Sequence, residues 1–213
     1  MKNLIIVFLL SMASTAIGQI KLNTPLKKQM DSVFVLDQKY REAMTLLNNP
    51  AKKDSIVKVM GVPSEGYQKL QSHIDTLNLI FIEKVFAQYG YPGTTLVGEP
   101  TNEAAWNVIQ HSAKIAEYLP LIKKAAENKE LPFRLYAIML DRNLLQQDKE
   151  QIYGTQIQAQ KMKNGKFEMF VWPIKDPETV NDRRKKAGFD LTVEENAKRF
   201  NVTYTIKKID EIK

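Results

Sequence analysis

The segment from Thr101 to Lys149 carries three helical patterns joined by very short links. The first pattern runs through EAAWNVIQHSAKIAEY, the second begins near Pro120, and the third begins at Pro132, where proline suits a first helical turn. Helices joined by such short links pack as antiparallel neighbours. The segment therefore predicts a compact helical bundle at the centre of the fold.

After Lys149 the helical period is replaced by strand-like alternation around Asn164 and Gly165, the strongest short turn signal in the chain. If these two residues form a two-residue turn, Ile157 faces Trp172 and the hairpin covers residues 151–172. The bundle thus contains an inserted two-stranded β-hairpin.

Further helices are predicted on both sides of this region. An amphipathic helix capped by Thr24 and a longer helix from Ser64 to Gln88 precede the bundle. A helix capped by Asp176 and ended by Gly188 follows the hairpin, and a short helix starts at Thr192. The tail alternates weakly, which leaves open a third C-terminal strand. The fold class is therefore mainly α, in the α+β sense, with a helical bundle and a hairpin.

Residues 1–18 have the layout of a secretory signal peptide, with a basic start, a short apolar stretch and small residues before the cleavage site. We expect cleavage after Gly18, with cleavage after Ala16 as the alternative, and an exported protein in the periplasm or outside the cell. The apolar stretch is too short for a comfortable membrane span, so we expect none after cleavage. The mature chain then divides into an N-terminal helix and linker (19–60), a helical core (61–200) and a tail (201–213).

Composition excludes several classes of chemistry. The chain has no cysteine, so it has neither a disulfide nor a thiol nucleophile. Its net charge is +7, but an exported protein rarely meets nucleic acid, and we expect no such partner. His73 and His111 are the only histidines and have no metal-ligand spacing, so we expect no metal and no cofactor.

Asp141 needs a partner, because it lies among apolar residues of its predicted helix and a buried carboxylate is costly when unpaired. Arg142 points about 100° away around the helix and is a poor candidate. The remaining candidates are His111, Arg183 and Arg184. A pair of Asp141 with His111 would orient the imidazole as a general base, although the same pair could serve only to stabilise the fold.

Five stretches, YGYPG…LVG, AAWNVIQHSA, LYAIMLDRNLL, QIYGTQ and PIKDPETVNDRRKKAGF, resemble an uncharacterised bacterial family, domain-of-unknown-function family 6624. The resemblance covers roughly residues 65–200 and implies no particular reaction. The family elements fall here on Trp106, Gln110, His111, Asp141, Arg142, Tyr153 to Gln156, Pro173, Asp176, Arg183, Arg184 and Gly188.

The polar residues of these stretches support two functional hypotheses. The first is a ligand-binding or scaffolding domain of the cell envelope, whose partner is a small polar or anionic ligand or an envelope protein. The second is a metal-independent enzyme of the hydrolase type acting on a small anionic or amide substrate, with His111 as base and Asp141 as its orienting group. The predicted binding residues are Gln110, Arg142, Tyr153, Gln156, Asp176, Arg183 and Arg184.

A purely structural role for the same residues is the third interpretation, with Arg183 and Arg184 paired to Asp141 and Asp176. The connections between the helix of Asp141, the hairpin and the next helix are all short. We therefore expect Gln156 and at least one of Arg183 and Arg184 to lie within one side-chain layer of Asp141 or His111.

Overall fold

The structure, a computed structural model, describes residues 21–163 and 165–212. The predicted signal peptide and Asn164 lie outside the described residues. The described chain is mainly α-helical with one two-stranded antiparallel sheet. Its α-helices are α1 (Thr24–Leu46), α2 (Lys53–Met60), α3 (Tyr67–Tyr89), α4 (Thr94–Val97), α5 (Ala104–Gln110), α6 (Ile115–Glu127), α7 (Phe133–Gln146), α8 (Val180–Lys186), α9 (Val193–Lys198) and α10 (Ile209–Ile212). Its strands are β1 (Ile157–Lys161) and β2 (Phe167–Val171).

Helix α1 contributes to the main core, which it enters through Leu26, Met30 and Val33 at helical spacing. Its N-cap is Asn23 rather than the predicted Thr24, because the Asn23 side chain accepts a hydrogen bond from the backbone N–H of Leu26 at 3.1 Å. The helix packs against α3 and α5. The N-terminal helix and the bundle therefore share one hydrophobic core.

The predicted bundle forms, but its second helix begins earlier than predicted. Helix α6 starts at Ile115, and Pro120 lies inside it rather than at its first turn. The chain turns immediately before this start, where the Ser112 hydroxyl accepts a hydrogen bond from the backbone N–H of Lys114 at 3.1 Å. The single long pattern through EAAWNVIQHSAKIAEY is thus divided between α5 and α6. Helices α6 and α7 then pack against each other.

The hairpin forms in a register that differs by one residue from the predicted one. Ile157 pairs with Val171, not with Trp172. The backbone N–H of Met162 donates to the carbonyl of Lys166 at 2.7 Å, so the loop holds three residues and ends at Gly165 with φ of +85°. The prediction that Ile157 faces Trp172 is therefore wrong, because a one-residue shift exchanges the two faces of a strand.

The two faces of the hairpin pack against different parts of the molecule. Phe170 and Trp172 form a small cluster with Met162 and Ile212. Val171 and Ile157 instead join an apolar cluster that connects the hairpin with α8 and α9. These contacts hold the hairpin and the C-terminal helices together.

The tail does not add a strand to the sheet in the part of the chain that the structure describes. Residues 202–208 carry no regular element, and α10 follows them. Ile212 at the end of α10 packs under the hairpin, so the tail contributes a side chain to the cluster rather than a ladder of backbone bonds. No helix among the described residues combines the length and apolarity that crossing a membrane requires.

Candidate functional site

Asp141 is fully buried at 0% exposure and binds the loop that follows α7. Its Oδ1 accepts from the backbone N–H groups of Ile152 at 2.7 Å and Tyr153 at 3.0 Å. Its Oδ2 accepts from the backbone N–H of Thr155 at 3.0 Å and the Thr155 hydroxyl at 2.9 Å. Burial raises the pKa of Asp141, and these hydrogen bonds oppose that rise. The predicted partners His111, Arg183 and Arg184 are wrong as direct partners, because loop donors occupy the carboxylate.

Gly154, in the middle of this loop, is required by both backbone and packing. Its φ is +68°, in the left-handed region that favours glycine. A Cβ at this position would lie 2.7 Å from a methyl carbon of Val193 and 2.8 Å from Cδ1 of Ile174. The loop therefore lies directly against α9, with no room for a side chain.

Two glutamines fix the ends of the same loop. The Gln151 side chain accepts from the backbone N–H of Gln156 at 2.8 Å and donates to the carbonyl of Trp172 at 2.7 Å. The Gln156 amide donates to the Thr155 hydroxyl oxygen at 2.9 Å. Gln156 is thus one side chain away from Asp141, as predicted. The buried Gln151 was missed, although it lies only two residues before the YGTQ element.

Arg183 and Arg184 bind the opposite side of the loop. The Nε of Arg183 donates to the carbonyl of Ile152 at 3.0 Å, and Nη1 of Arg184 donates to the carbonyl of Tyr153 at 2.9 Å. The backbone N–H groups of Ile152 and Tyr153 donate to Asp141, so the arginines and the carboxylate bind the same two residues from opposite sides. The prediction that Gln156 and an arginine of this pair lie within one layer of Asp141 is therefore confirmed.

The predicted role of Asp176 as a carboxylate partner and helix cap is wrong. Asp176 has a left-handed φ of +47°, and its side chain makes no cap hydrogen bond. A 3₁₀ turn (Pro177–Thr179) separates it from α8. Arg183 instead donates to the backbone carbonyl of Asp176 at 3.0 Å and to the Thr179 hydroxyl at 2.6 Å.

A cavity of about 580 Å³ opens between α7, the Thr155–Ile157 segment and the α8–α9 region. Thr155, Gln156, Asp190 and Asn196 supply its polar wall, beside an apolar wall of Ile138, Ile157, Phe189, Leu191 and Phe200. We call this cavity the arginine pocket, because its remaining lining residues are Arg134, Arg142, Arg184 and Arg199. The pocket lining thus contains one carboxylate, that of Asp190, and four guanidinium groups.

Two of these arginines, the buried Arg184 and the partly buried Arg142, have no carboxylate partner among the described residues. Arg184 is only 2% exposed, donates to the carbonyl of Leu191 at 2.8 Å, and lies over the ring of Phe189 at 4.5 Å. Arg142 donates to the carbonyl of Gln110 at 3.0 Å. No carboxylate of the described residues lies within 4.0 Å of either guanidinium. Burial lowers the pKa of both groups, and for Arg184 the charge of Asp141 partly opposes this.

His111 lies apart from this pocket and pairs with a residue that the sequence did not indicate. It follows α5, and its Nδ1 is 3.2 Å from Oδ2 of Asp37 on α1. Asp37 is 1% exposed and also accepts from the Gln38 amide at 2.6 Å, while Arg41 pairs with Asp75 at 2.6 Å. The predicted pair of His111 with Asp141 is therefore wrong. In the described residues, no group of three His, Cys, Asp or Glu side chains could hold a metal ion.

Of the seven predicted binding residues, three line the arginine pocket, two line a neighbouring groove, and Gln110 and Asp176 line neither. Arg142, Gln156 and Arg184 line the arginine pocket. Gln110 contributes its carbonyl to Arg142 and is not in the lining. Tyr153 and Arg183 line a neighbouring shallow groove, and burial raises the pKa of Tyr153.

Arg134 and Arg199 of the pocket were missed by sequence reasoning. For Arg134 a signal exists, because Arg134, Ile138 and Arg142 recur at four-residue spacing and so lie along one face of α7. Arg199 follows α9, which meets the pocket only through the tertiary packing of the hairpin.

Comparison with models of known families identifies the family of the chain. Residues 37–209 match the model of a family of unknown function, DUF6624. The chain belongs to this family. The resemblance expected over residues 65–200 is thereby confirmed, and the DUF6624 match also reaches Asp37, the partner of His111. No curated protein and no solved structure matches the chain.

Proposed function

We propose that this DUF6624 domain binds a small anionic ligand in the arginine pocket. The observation that carries the proposal is Arg184, a guanidinium 2% exposed with no carboxylate partner among the described residues. Buried arginines are normally paired, because desolvating an unpaired charge is costly. Asp141, Glu194 and Glu195 act on Arg184 only from beyond 4.0 Å, and a ligand carboxylate or phosphate would supply a countercharge in direct contact.

Unused donors support the same proposal. Nη2 of Arg184, and Nε and Nη2 of Arg142, form no hydrogen bond with the described residues. None of these three atoms is among the buried unbonded side-chain atoms of the described residues, and both arginines line the pocket. Guanidinium groups with free donors bind planar or tetrahedral anions through two hydrogen bonds at once.

The hydrolase hypothesis has weaker support than binding. Its general base, His111, is not part of the pocket lining, and its orienting group, Asp141, is occupied by the loop. Among the pocket's own side chains, the Thr155 hydroxyl donates to Asp141 and accepts from the Gln156 amide, so it belongs to the hydrogen-bond network of the loop. Ligand binding is therefore the function that the arrangement of residues supports best.

We also propose that the domain acts outside the cytoplasm, in the periplasm or the medium. The basic start, short apolar stretch and small residues of the first 18 positions support this. N-terminal sequencing of the protein from fractionated cells should give Gln19 as the first residue. A cytosolic protein that retains Met1 would contradict export and leave the pocket proposal standing.

Thermal unfolding with and without anions tests the binding proposal. A ligand that binds only the folded state at about 100 times its Kd stabilises that state by about 2.7 kcal/mol. Phosphate, sulfate, acetate and benzoate, compared with chloride at constant ionic strength, should include at least one anion that raises the unfolding temperature.

Arg142→Gln and Arg199→Gln should each reduce this stabilisation. Lys123→Gln is the matched control, because Lys123 on α6 has a 53% exposed side chain and lies outside the pocket lining. Equal losses in all three variants would indicate nonspecific screening. A set of anions with no effect beyond that of chloride would rule the proposal out.

A further inference from the structure

The charges that line the arginine pocket indicate how many negative charges its ligand carries. Arg134 has a partial countercharge, since Glu103 lies 3.4 Å from it. Arg142, Arg184 and Arg199 have no carboxylate of the described residues within 4.0 Å. Asp190 is the pocket's single acid and is exposed. Four arginines against Asp190 and Glu103 leave two positive charges, so a ligand with one negative charge would leave one of them uncompensated.

The burial of the arginines divides the pocket into a floor and a rim. Arg184 is buried and Arg142 is partly buried, whereas Arg199 and Phe200 at the end of α9 are exposed. Charge interactions are stronger where water is excluded. The floor, with Arg142 and Arg184, is therefore the place where a doubly charged group gains most over a singly charged one.

The apolar wall indicates that the ligand is larger than a bare ion. A volume of about 580 Å³ lies in the range of cavities that hold small organic molecules. Phe189 and Phe200 present aromatic surface, and Ile138, Ile157 and Leu191 present aliphatic surface. Burial of an apolar body against this wall would add to the affinity of the anionic group.

We propose that the pocket selects a phosphate monoester carried on an apolar or aromatic body. This proposal rests on the proposed function, since it assumes that the pocket binds an anion. A phosphate monoester combines a charge of about −1.5 to −2 at neutral pH with three acceptor oxygens in one headgroup. That headgroup matches the two cationic side chains with unused donors that line the same pocket, Arg142 and Arg184, and the ester group matches the apolar wall.

Calorimetric titration of the full mature chain with three probes tests the proposal. The probes are phenyl phosphate, benzoate and inorganic phosphate, at pH 7.5 and constant ionic strength. Phenyl phosphate has both the dianionic group and the aromatic body, and each other probe lacks one of them. We expect phenyl phosphate to bind at least about tenfold more tightly than either.

The pH dependence separates the two charges of the headgroup. The second pKa of a phosphate monoester is about 6. The preference for phenyl phosphate over benzoate should therefore decrease on going from pH 7.5 to pH 5.5, where the second charge is largely lost. A preference that stays constant over this range would overturn the assignment of a dianion.

Variants locate the binding and keep the proposal testable if one of them fails to fold. Arg142→Gln should weaken phenyl phosphate by a larger factor than benzoate, and Arg199→Gln at the exposed rim should weaken it less. Lys123→Gln should leave all three affinities unchanged. If Arg142→Gln lowers the affinity for phenyl phosphate no more than Lys123→Gln does, phenyl phosphate binds elsewhere, and the proposal is contradicted.

The outcomes distinguish this proposal from the one it rests on. If benzoate binds as tightly as phenyl phosphate, the second charge is not used; if inorganic phosphate does, the apolar wall is not used. Either result overturns the phosphate-monoester inference and leaves an anion site in place. If none of the three probes binds, and phosphate, sulfate and carboxylates also fail to stabilise the protein, the proposed function itself fails.

Discussion

Asp141 and Asp37 are both buried carboxylates, at 0% and 1% exposure, but they are satisfied in different ways. Asp141 receives backbone N–H groups from a loop 11 to 14 residues away. Asp37 receives side chains, including His111 at a separation of 74 residues. The first arrangement fixes the path of the chain, while the second connects a side chain of α1 with the residue that follows α5.

The difference determines how strongly a substitution of each carboxylate should destabilise the region around it. Backbone donors cannot be replaced by a rotamer change, so the loss of Asp141 leaves its loop without partners. The partners of Asp37 have alternatives, because His111 is partly exposed and Arg41, which lies 3.7 Å from Asp37, also pairs with Asp75 at 2.6 Å. We therefore expect the loop beside the arginine pocket to be the more sensitive of the two regions.

The largest expected effect is that of Asp141→Ala. The change leaves the N–H groups of Ile152, Tyr153 and Thr155 unsatisfied, and buried unpaired donors cost about 1–3 kcal/mol each before relaxation. We expect a loss of at least about 3 kcal/mol in the free energy of unfolding, measured by urea denaturation.

The control for this change is Asp182→Ala, at an exposed acid on α8. It should alter the free energy of unfolding by no more than about 0.5 kcal/mol. If Asp141→Ala also remained below that value, the loop would not depend on the carboxylate, and the contrast with Asp37 would disappear.

A smaller loss is expected for Gly154→Ala, which tests the packing of the loop rather than its hydrogen bonds. A left-handed φ costs a residue with a Cβ about 1 kcal/mol, and here the Cβ also meets Val193 and Ile174 below 3 Å. We expect a total of about 2–3 kcal/mol.

Gly165→Ala is the matched control for Gly154→Ala. Gly165 also has a positive φ, of +85°, but nothing lies within 4 Å of a Cβ built there. It should show the backbone cost alone, about 1 kcal/mol. Equal losses in the two variants would mean that the loop can move away from α9.

The same contrast explains which parts of the structure could be predicted. Periodicity and turn residues predicted the helices and the hairpin, because these signals are local. Short connections placed Gln156, Arg183 and Arg184 near Asp141 without knowledge of any contact. The partners of Asp141 could not be predicted by residue type, since backbone N–H groups are present at almost every position.

Two errors arose where a single local choice has distant consequences. The turn at Gly165 holds three loop residues instead of two, and this moved Ile157 to the other face of the hairpin. The pair of His111 with Asp37 depends on how α1 docks on α5, which no short segment encodes. The spacing of Arg134, Ile138 and Arg142 could have indicated the pocket face in advance.

A double-mutant cycle measures the coupling free energy between Asp37 and His111, in the region that we expect to be less sensitive. We expect a coupling of about 1 kcal/mol or less between Asp37→Ala and His111→Ala in urea denaturation. The value should be small because the Gln38 amide remains bonded to Asp37 when the imidazole is removed. A coupling above about 3 kcal/mol would make this pair as rigid as the loop at Asp141.

The smallest expected effect is the coupling between Asp141 and His111, one of the pairs that the sequence left open. The two oxygens of Asp141 are bonded to the loop, and Nδ1 of His111 faces Asp37, so the two residues share no partner. Changes at sites without shared partners add to within about 0.3–0.5 kcal/mol. We therefore expect Asp141→Ala and His111→Ala to be additive, provided that the double variant still shows a two-state transition. Because Asp141→Ala is so destabilising, the cycle is best measured in the presence of a stabilising osmolyte. A coupling well above 0.5 kcal/mol would restore a direct link between the two residues, and with it the support for a His–Asp catalytic pair.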